Sequence, residues 1–220
     1  MGFKLYPKNY ADYLRKAYQK IYAEKEYLSA LDAATGDGDH WANLNMGFSK
    51  LAEQAADLEV LPFDVMFQKI AMVMMTVIGG SSGVLYASAY MEASKELQDK
   101  EYIDCEGLYT VLNAMLRGIM RRGGASPGMK TMVDTLDAAV SYFRNCFDTK
   151  GIQDEIEFLD QLKAAAYEGQ QSTIQMEAVK GRAYYQPKKG VGHLDPGAVS
   201  MYYQIEVLVD EIKDICRGAA

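Results

Sequence analysis

Between residues 9 and 31 the chain reads NYADYLRKAYQKIYAEKEYLSAL. Its apolar side chains Tyr13, Leu14, Tyr18, Ile21, Tyr22 and Leu28 recur every three or four residues, which is the period of an amphipathic helix. That period constrains the fold most, because it returns along almost the whole chain. Further helical stretches are expected near 42–57, 64–78, 82–98, 105–121, 130–147, 152–169 and 195–216, parted by short Gly, Pro or Asp punctuation. No segment shows a convincing strand alternation, no repeat stands out, and no linker is long enough to divide two cores. The expectation is one all-α domain over residues 1–220, built from about eight helices. An apolar fraction of 49% supplies an ordinary packed core for that length. Two connections are longer and richer in glycine: GGASPG at 123–128 and GRAYYQPKKGVGHLDPG at 181–197.

The charge balance limits the partners. A net charge of −7 and a pI near 5.0 argue against nucleic acid, which calls for a basic surface. The tyrosine-rich, charged opening MGFKLYPKNYADYL lacks the apolar core of a signal peptide, and no run is long enough to cross a membrane. A cytoplasmic protein is expected. Cys105, Cys146 and Cys216 are widely spaced, without a CxxC pair or a local histidine, and read as inert packing residues.

Against that helical background one stretch is out of character. DAATGDGDH (32–40) places Asp32, Asp37, Asp39 and His40 within nine residues, with Gly36 and Gly38 between them. Carboxylates are hard oxygen donors, and flexible backbone at 36 and 38 lets the three aspartates converge on one point, which suits Mg²⁺ or Ca²⁺. An EF-hand is excluded, since no Glu follows at the required offset. The competing reading is that Asp37 and Asp39 only form Asx turns or cap the next helix.

A second glycine cluster, Gly79-Gly80-Ser81-Ser82-Gly83, opens a helix with small residues and two hydroxyls. Free backbone N–H groups there suit a phosphate. A tight turn with Ser81 or Ser82 as N-cap is the alternative. The ending of a Walker motif is missing. Both histidines, His40 and His193, lie in glycine-flanked loops beside aspartates, a setting compatible with hydrogen bonding near a polyphosphate. Few Lys or Arg accompany the acidic loop in sequence, so an anion bound there would need metal to offset repulsion.

Five ordered blocks, GDGDHWANLNMGF (36–48), GGSSGVLYASAYMEAS (79–94), GGASPGMKTMVDTLDAAV (123–140), GRAYY (181–185) and GHLDPGAVSM (192–201), carry a resemblance over nearly the whole chain. The sequence resembles the DhaL family, the ADP-binding L subunits of phosphotransferase-dependent dihydroxyacetone kinases, also found as the C-terminal domain of ATP-dependent dihydroxyacetone kinases. The resemblance implies a barrel of eight antiparallel helices with a nucleotide site in the loops at one end. It implies ADP or ATP with two Mg²⁺ ions as cofactors, held by Asp32, Asp37 and Asp39. His40, Asn43, Ser81 and Ser82 would then face the phosphates. Gly123, Met132, Arg182, Asp195 and Pro196 would surround the adenosine moiety, although Met132 also fits plain core packing.

The same resemblance implies a phosphotransferase, a kinase subunit that passes the γ-phosphoryl group to dihydroxyacetone carried by a separate K subunit. Its donor would be a phosphohistidine protein of the phosphotransferase system. No membrane partner is implied, and a homodimer is left open. Three positions depart from the family pattern: Trp41 replaces a usual glycine, Met46 a frequent arginine and Met129 a common aspartate. Trp41 and the GGASPG segment are expected on a rim that docks the K subunit. A nucleotide-sensing adaptor that controls a partner without catalysing transfer would use the same residues.

Overall fold

The computed structural model describes residues 2–149 and 151–218, and it is all-α. Ten α-helices follow in order: α1 (Pro7–Ala23), α2 (Lys25–Thr35), α3 (His40–Glu53), α4 (Ala55–Leu58), α5 (Phe63–Val77), α6 (Gly80–Glu96), α7 (Cys105–Gly123), α8 (Met132–Thr149), α9 (Glu155–Ser172) and α10 (Pro196–Gly218). Because α2 continues α1 and α4 continues α3, they form eight arms, as the periodicity predicts. The sole extended pairing among the described residues is a bridge between Leu5 and Ile103.

Two boundaries differ from the sequence expectation. The helix expected over 9–31 breaks at Glu24 (φ −90°, ψ 19°). The cause is tertiary: the carbonyl of Ile21 accepts the indole N–H of Trp41 at 2.9 Å, and a donor inserted into the i→i−4 ladder bends a helix. The stretch expected near 42–57 is likewise divided, at Gln54, into α3 and α4.

Packing closes the arms into a ring. α1 lies against α3, α3 against α5, α5 against α6, α6 against α7, α7 against α8, α8 against α9, α9 against α10 and α10 against α1. Short connections make sequential neighbours antiparallel. One hydrophobic cluster, including Leu14, Phe48, Phe67, Tyr90, Val140 and Ile212, fills the ring and draws on every long helix. Each such side chain contributes about 1.5–3 kcal/mol through burial. The three cysteines are free and half-buried, and burial pushes the Cys105 thiol up to about 12, which keeps it protonated and inert. No described helix is long and apolar enough to cross a membrane.

The alternation of up and down arms places the connections after α2, α5, α7 and α9 at one end. The connections after α4, α6 and α8, together with residues 2–6, gather at the other.

Candidate functional site

Those first four connections line a cavity of about 520 Å³. Asp32 lies in the last turn of α2, while Asp37 and Asp39 lie in the turn before α3. One oxygen from each of the three carboxylates falls within 4.8 Å of the others. Asp32 is buried and the other two are exposed. The turn is held by the His40 N–H, which donates to Asp32 Oδ2 at 2.9 Å. Gly36 is required there, because a Cβ at that position would stand 2.1 Å from Asp32 Oδ1. Asp39 precedes α3 without a side-chain capping bond, so its carboxylate is not consumed as an N-cap. Three hard, convergent oxygens of this kind fit a divalent cation that takes oxygen ligands.

The His40 ring is buried and lies 3.0 Å from Ser200 Oγ through Nε2. Burial lowers its pKa, against the opposing pull of Asp32 and Asp39. The imidazole is therefore a fixed hydrogen-bonding group rather than a solvent-exposed cation.

Beside the acids, α6 opens at Gly80 with no side-chain cap on its first turn. Its unpaired N–H groups and the Ser81 and Ser82 side chains line the same cavity. Asn43 joins the two loops: a Cβ on Gly79 would meet its Oδ1 at 2.6 Å. An uncapped helix start with hydroxyls next to a carboxylate cluster is a place for an anion carried with its metal.

The far wall comes from the connection between α7 and α8 and from the start of α10. Gly123, Met132 and Pro196 line it, and Met132 and Pro196 are buried. Asp195 caps α10 by accepting the Ala198 N–H at 2.7 Å. Burial raises its pKa to about 7, against the pull of that N–H and of Lys130.

Sequence reasoning missed the residues that hold this wall together. Lys130, at φ 59°, has a buried side chain whose Nζ donates to the carbonyls of Thr173 and His193. It thereby ties both stems of the connection between α9 and α10 to the connection before α8. Burial lowers its pKa, while Asp195 and Asp134 pull it up. Asp134 accepts the N–H groups of Gly128 (2.5 Å) and Thr131 (2.7 Å), which fixes the turn. Nothing in MKTMVDT marks this lysine as buried, since an isolated Lys beside a helix start usually faces water.

Over the mouth runs the segment 176–195, with 3₁₀ turns at Arg182–Tyr185 and Pro187–Gly190. Arg182 pairs with Asp37 (Nη2 to Oδ2, 2.7 Å), so it reaches the acidic side of the cavity. The His193 side chain is exposed and contributes no lining. The expectation of few nearby cations is corrected: Arg122, Lys130, Lys180 and Arg182 all line the cavity. They come from positions far from the acidic loop in sequence, and only closure of the ring gathers them. Trp41 is also not a free rim residue, since it is half-buried against both hydrophobic clusters.

The DAK2 domain profile matches residues 34–210. The chain is 37% identical over 182 residues to the ADP-binding subunit DhaL of PEP-dependent dihydroxyacetone kinase 1 from Listeria innocua, covering 83% of this chain and 85% of that one. It is 38% identical over 205 residues to the ADP-binding subunit DhaL of the PTS-dependent dihydroxyacetone kinase from Lactococcus lactis, covering 91% and 95%. The dihydroxyacetone kinase of C. freundii, solved with AMP-PNP and Mg²⁺, shares the fold at a TM-score of 0.68 and 24% identity. That match covers 91% of this chain but 33% of the larger enzyme. A profile that spans most of the sequence, and relatives of this identity along nearly their full length, place the chain in the DAK2 domain family.

Proposed function

We propose that this chain is the nucleotide-binding, phosphoryl-transferring subunit of a kinase acting on dihydroxyacetone or a related ketose. Residues 1–220 work as one unit that holds ADP or ATP and passes the γ-phosphoryl group to substrate on a separate K subunit. What carries the reading is the convergence of three carboxylates and an uncapped helix start on one cavity. The names of the relatives, ADP-binding subunits of PEP- and PTS-dependent dihydroxyacetone kinases, support it. They also favour a phosphohistidine protein of the phosphotransferase system as the source of the phosphoryl group. A cytoplasmic site of action suits the three free thiols.

Asp32, Asp37 and Asp39 would hold two Mg²⁺ ions, which would supply charge neutralisation on the phosphates. Ser81, Ser82, Asn43 and His40 are placed to orient those phosphates. Gly123, Met132, Asp195 and Pro196 form the wall available to the adenosine. Arg182 is assigned to the same nucleotide, and its ion pair with Asp37 supports a role on the acidic side of the cavity. Phosphoryl transfer asks chiefly for positioning and charge neutralisation, which the convergent acids and the Ser81–Ser82 helix start would supply.

The test has two stages. ADP titrated calorimetrically should bind with Mg²⁺ and lose most of its affinity in EDTA; equal affinity in both would refute the metal clamp. The purified chain, mixed with a K subunit, dihydroxyacetone and a phosphoryl source, should yield dihydroxyacetone phosphate. Nucleotide binding without any product would instead assign the chain to nucleotide sensing.

A further inference from the structure

Behind the cavity a second polar layer runs into the core. Ser200 and Tyr86 are fully buried and Gln204 nearly so, and none of the three lines the cavity. Tyr86 stands one turn after Ser82 on α6, Ser200 one turn after Pro196 on α10, and His40 opens α3. Three helices that open on the cavity thus meet just below it. α6 and α10 are not neighbours in the ring, so Tyr86 and Gln204 meet across its interior.

The donors and acceptors fall into one order. Gln204 Nε2 donates to the Tyr86 hydroxyl oxygen at 2.7 Å and to the Ser200 carbonyl at 3.0 Å. That carbonyl can only accept, which fixes the NH2 side of the amide. With its oxygen taken by Gln204, the Tyr86 hydroxyl has its own proton for Ser200, to which it is hydrogen-bonded. Ser200 Oγ lies 3.1 Å from the Gly197 carbonyl, again an acceptor alone, so the serine proton goes there. What Ser200 Oγ then offers His40 Nε2, at 3.0 Å, is a lone pair. The Pro196 carbonyl faces the same ring and likewise only accepts. Nε2 is therefore the protonated nitrogen, and in the neutral ring Nδ1 keeps the lone pair.

Polar groups this deep cost stability unless they are paired, and apolar residues at 86 and 204 would avoid that cost. Their placement has a use at the acidic turn. The His40 backbone N–H holds Asp32 Oδ2, and His40 directly follows Asp39. A ring anchored from the core side fixes where that N–H points, and hence where two of the three carboxylates stand.

We propose that Ser200, Tyr86 and Gln204 are positioning residues for the metal–nucleotide site: through Nε2–H they hold the His40 ring from behind, and with it the acidic turn that carries Asp32 and Asp39. The inference rests on the function proposed above.

Two measurements on the whole chain test it. His40 and His193 are the only histidines, so His193→Gln, a change at an exposed side chain outside the cavity, leaves one imidazole for nitrogen NMR without metal or nucleotide. The expected spectrum shows His40 protonated at Nε2, and Ser200→Ala in the same background should abolish that single-tautomer signature. Calorimetry should show Mg²⁺–ADP affinity reduced about ten-fold by Ser200→Ala and about three-fold by Tyr86→Phe, which leaves the contact between Ser200 and His40 in place. Urea melts separate lost stability from altered site geometry. His40 protonated at Nδ1 alone would overturn the relay, as would a Ser200→Ala protein that is less stable yet binds Mg²⁺–ADP like the wild type. A wild type that shows the Nε2–H signature but binds no Mg²⁺–ADP would overturn the functional reading and the positioning role with it, leaving only the order of the hydrogen bonds standing.

Discussion

The two ends of the barrel follow different rules for their backbone. At the closed end, α7 and α9 begin with Asp104 and Asp154, whose carboxylates accept the N–H groups of Gly107, Ile156 and Glu157. Leu5 and Ile103 exchange backbone hydrogen bonds there. Within the adjoining core Tyr10, Phe63, Phe67 and Tyr90 pack with ring centroids 4.8–6.3 Å apart. At the cavity end α3 and α6 begin without side-chain caps while Asp195 caps α10, and Asp32, Lys130 and Asp134 are buried; at the closed end α5 also starts without a side-chain cap. Ten of the twelve described residues at positive φ lie in its four connections, leaving only Asp99 and Gly151 elsewhere. Left-handed backbone, mostly glycine but including Lys130, Lys188 and Lys189, thus collects in the connections around the cavity, while the other end packs on aromatic rings.

The largest effects should separate the ends cleanly. Phe67→Ala removes a fully buried ring from the aromatic group and should cost about 3–5 kcal/mol of unfolding free energy. The remaining folded protein should bind Mg²⁺–ADP normally. Asp39→Asn should do the reverse, reducing Mg²⁺–ADP affinity about 10–100-fold, by analogy with the loss of groups that hold a bound metal. Its denaturation midpoint without ligand should stay nearly unchanged, because that carboxylate is exposed and caps nothing. Urea melts and calorimetry on both variants check the pair. If Asp39→Asn unfolds the protein, the acidic turn is structural after all.

The same division governs what could be read from sequence. Helical arms are local, so their period shows the ring's parts, and the acidic and glycine-rich turns are local too. Asp32, Asp37, Asp39, Ser81 and Ser82 were legible for that reason. The break at Glu24 was not, since the apolar period runs through it and its cause lies at Trp41, twenty residues beyond Ile21. Lys130 was hidden because its two carbonyl partners are 43 and 63 residues away. The cations around the mouth were hidden in the same way, being brought together only by folding.

Titration offers a finer probe of the cavity end. Asp195 has a folded-state pKa near 7 against an ordinary value of 3.8, so between those values the folded state binds more protons than the unfolded one. By linkage, its contribution makes stability fall as pH rises from about 4 to about 7. With allowance for solvent reaching this half-buried group, the loss should be about 1–2 kcal/mol. Asp195→Asn should flatten that part of the curve when melts are run in EDTA without nucleotide. A wild-type profile of the same slope as the variant would show that the carboxylate is ionised in the folded protein throughout.

The smallest effect is expected where the two rules meet. Trp41 stands in the first turn of α3 beside the acidic cluster, so its sequence position suggests a docking rim. Its surroundings are those of a packing residue: the indole N–H is bonded to Ile21 O, and Lys25 Nζ lies 5.1 Å from the ring centre. By bending the chain at Glu24 it sets the direction of α2, which carries Asp32 into the cavity. Trp41→Phe keeps an aromatic ring but deletes the donor, and should lower stability by about 0.5–1.5 kcal/mol. Through the altered course of α2 it should weaken Mg²⁺–ADP binding by no more than about three-fold, far less than Asp39→Asn does. The KM for the K subunit should not move. A raised KM with unchanged stability would return Trp41 to the rim, and the contact with Ile21 would then have no part in shaping the acidic site.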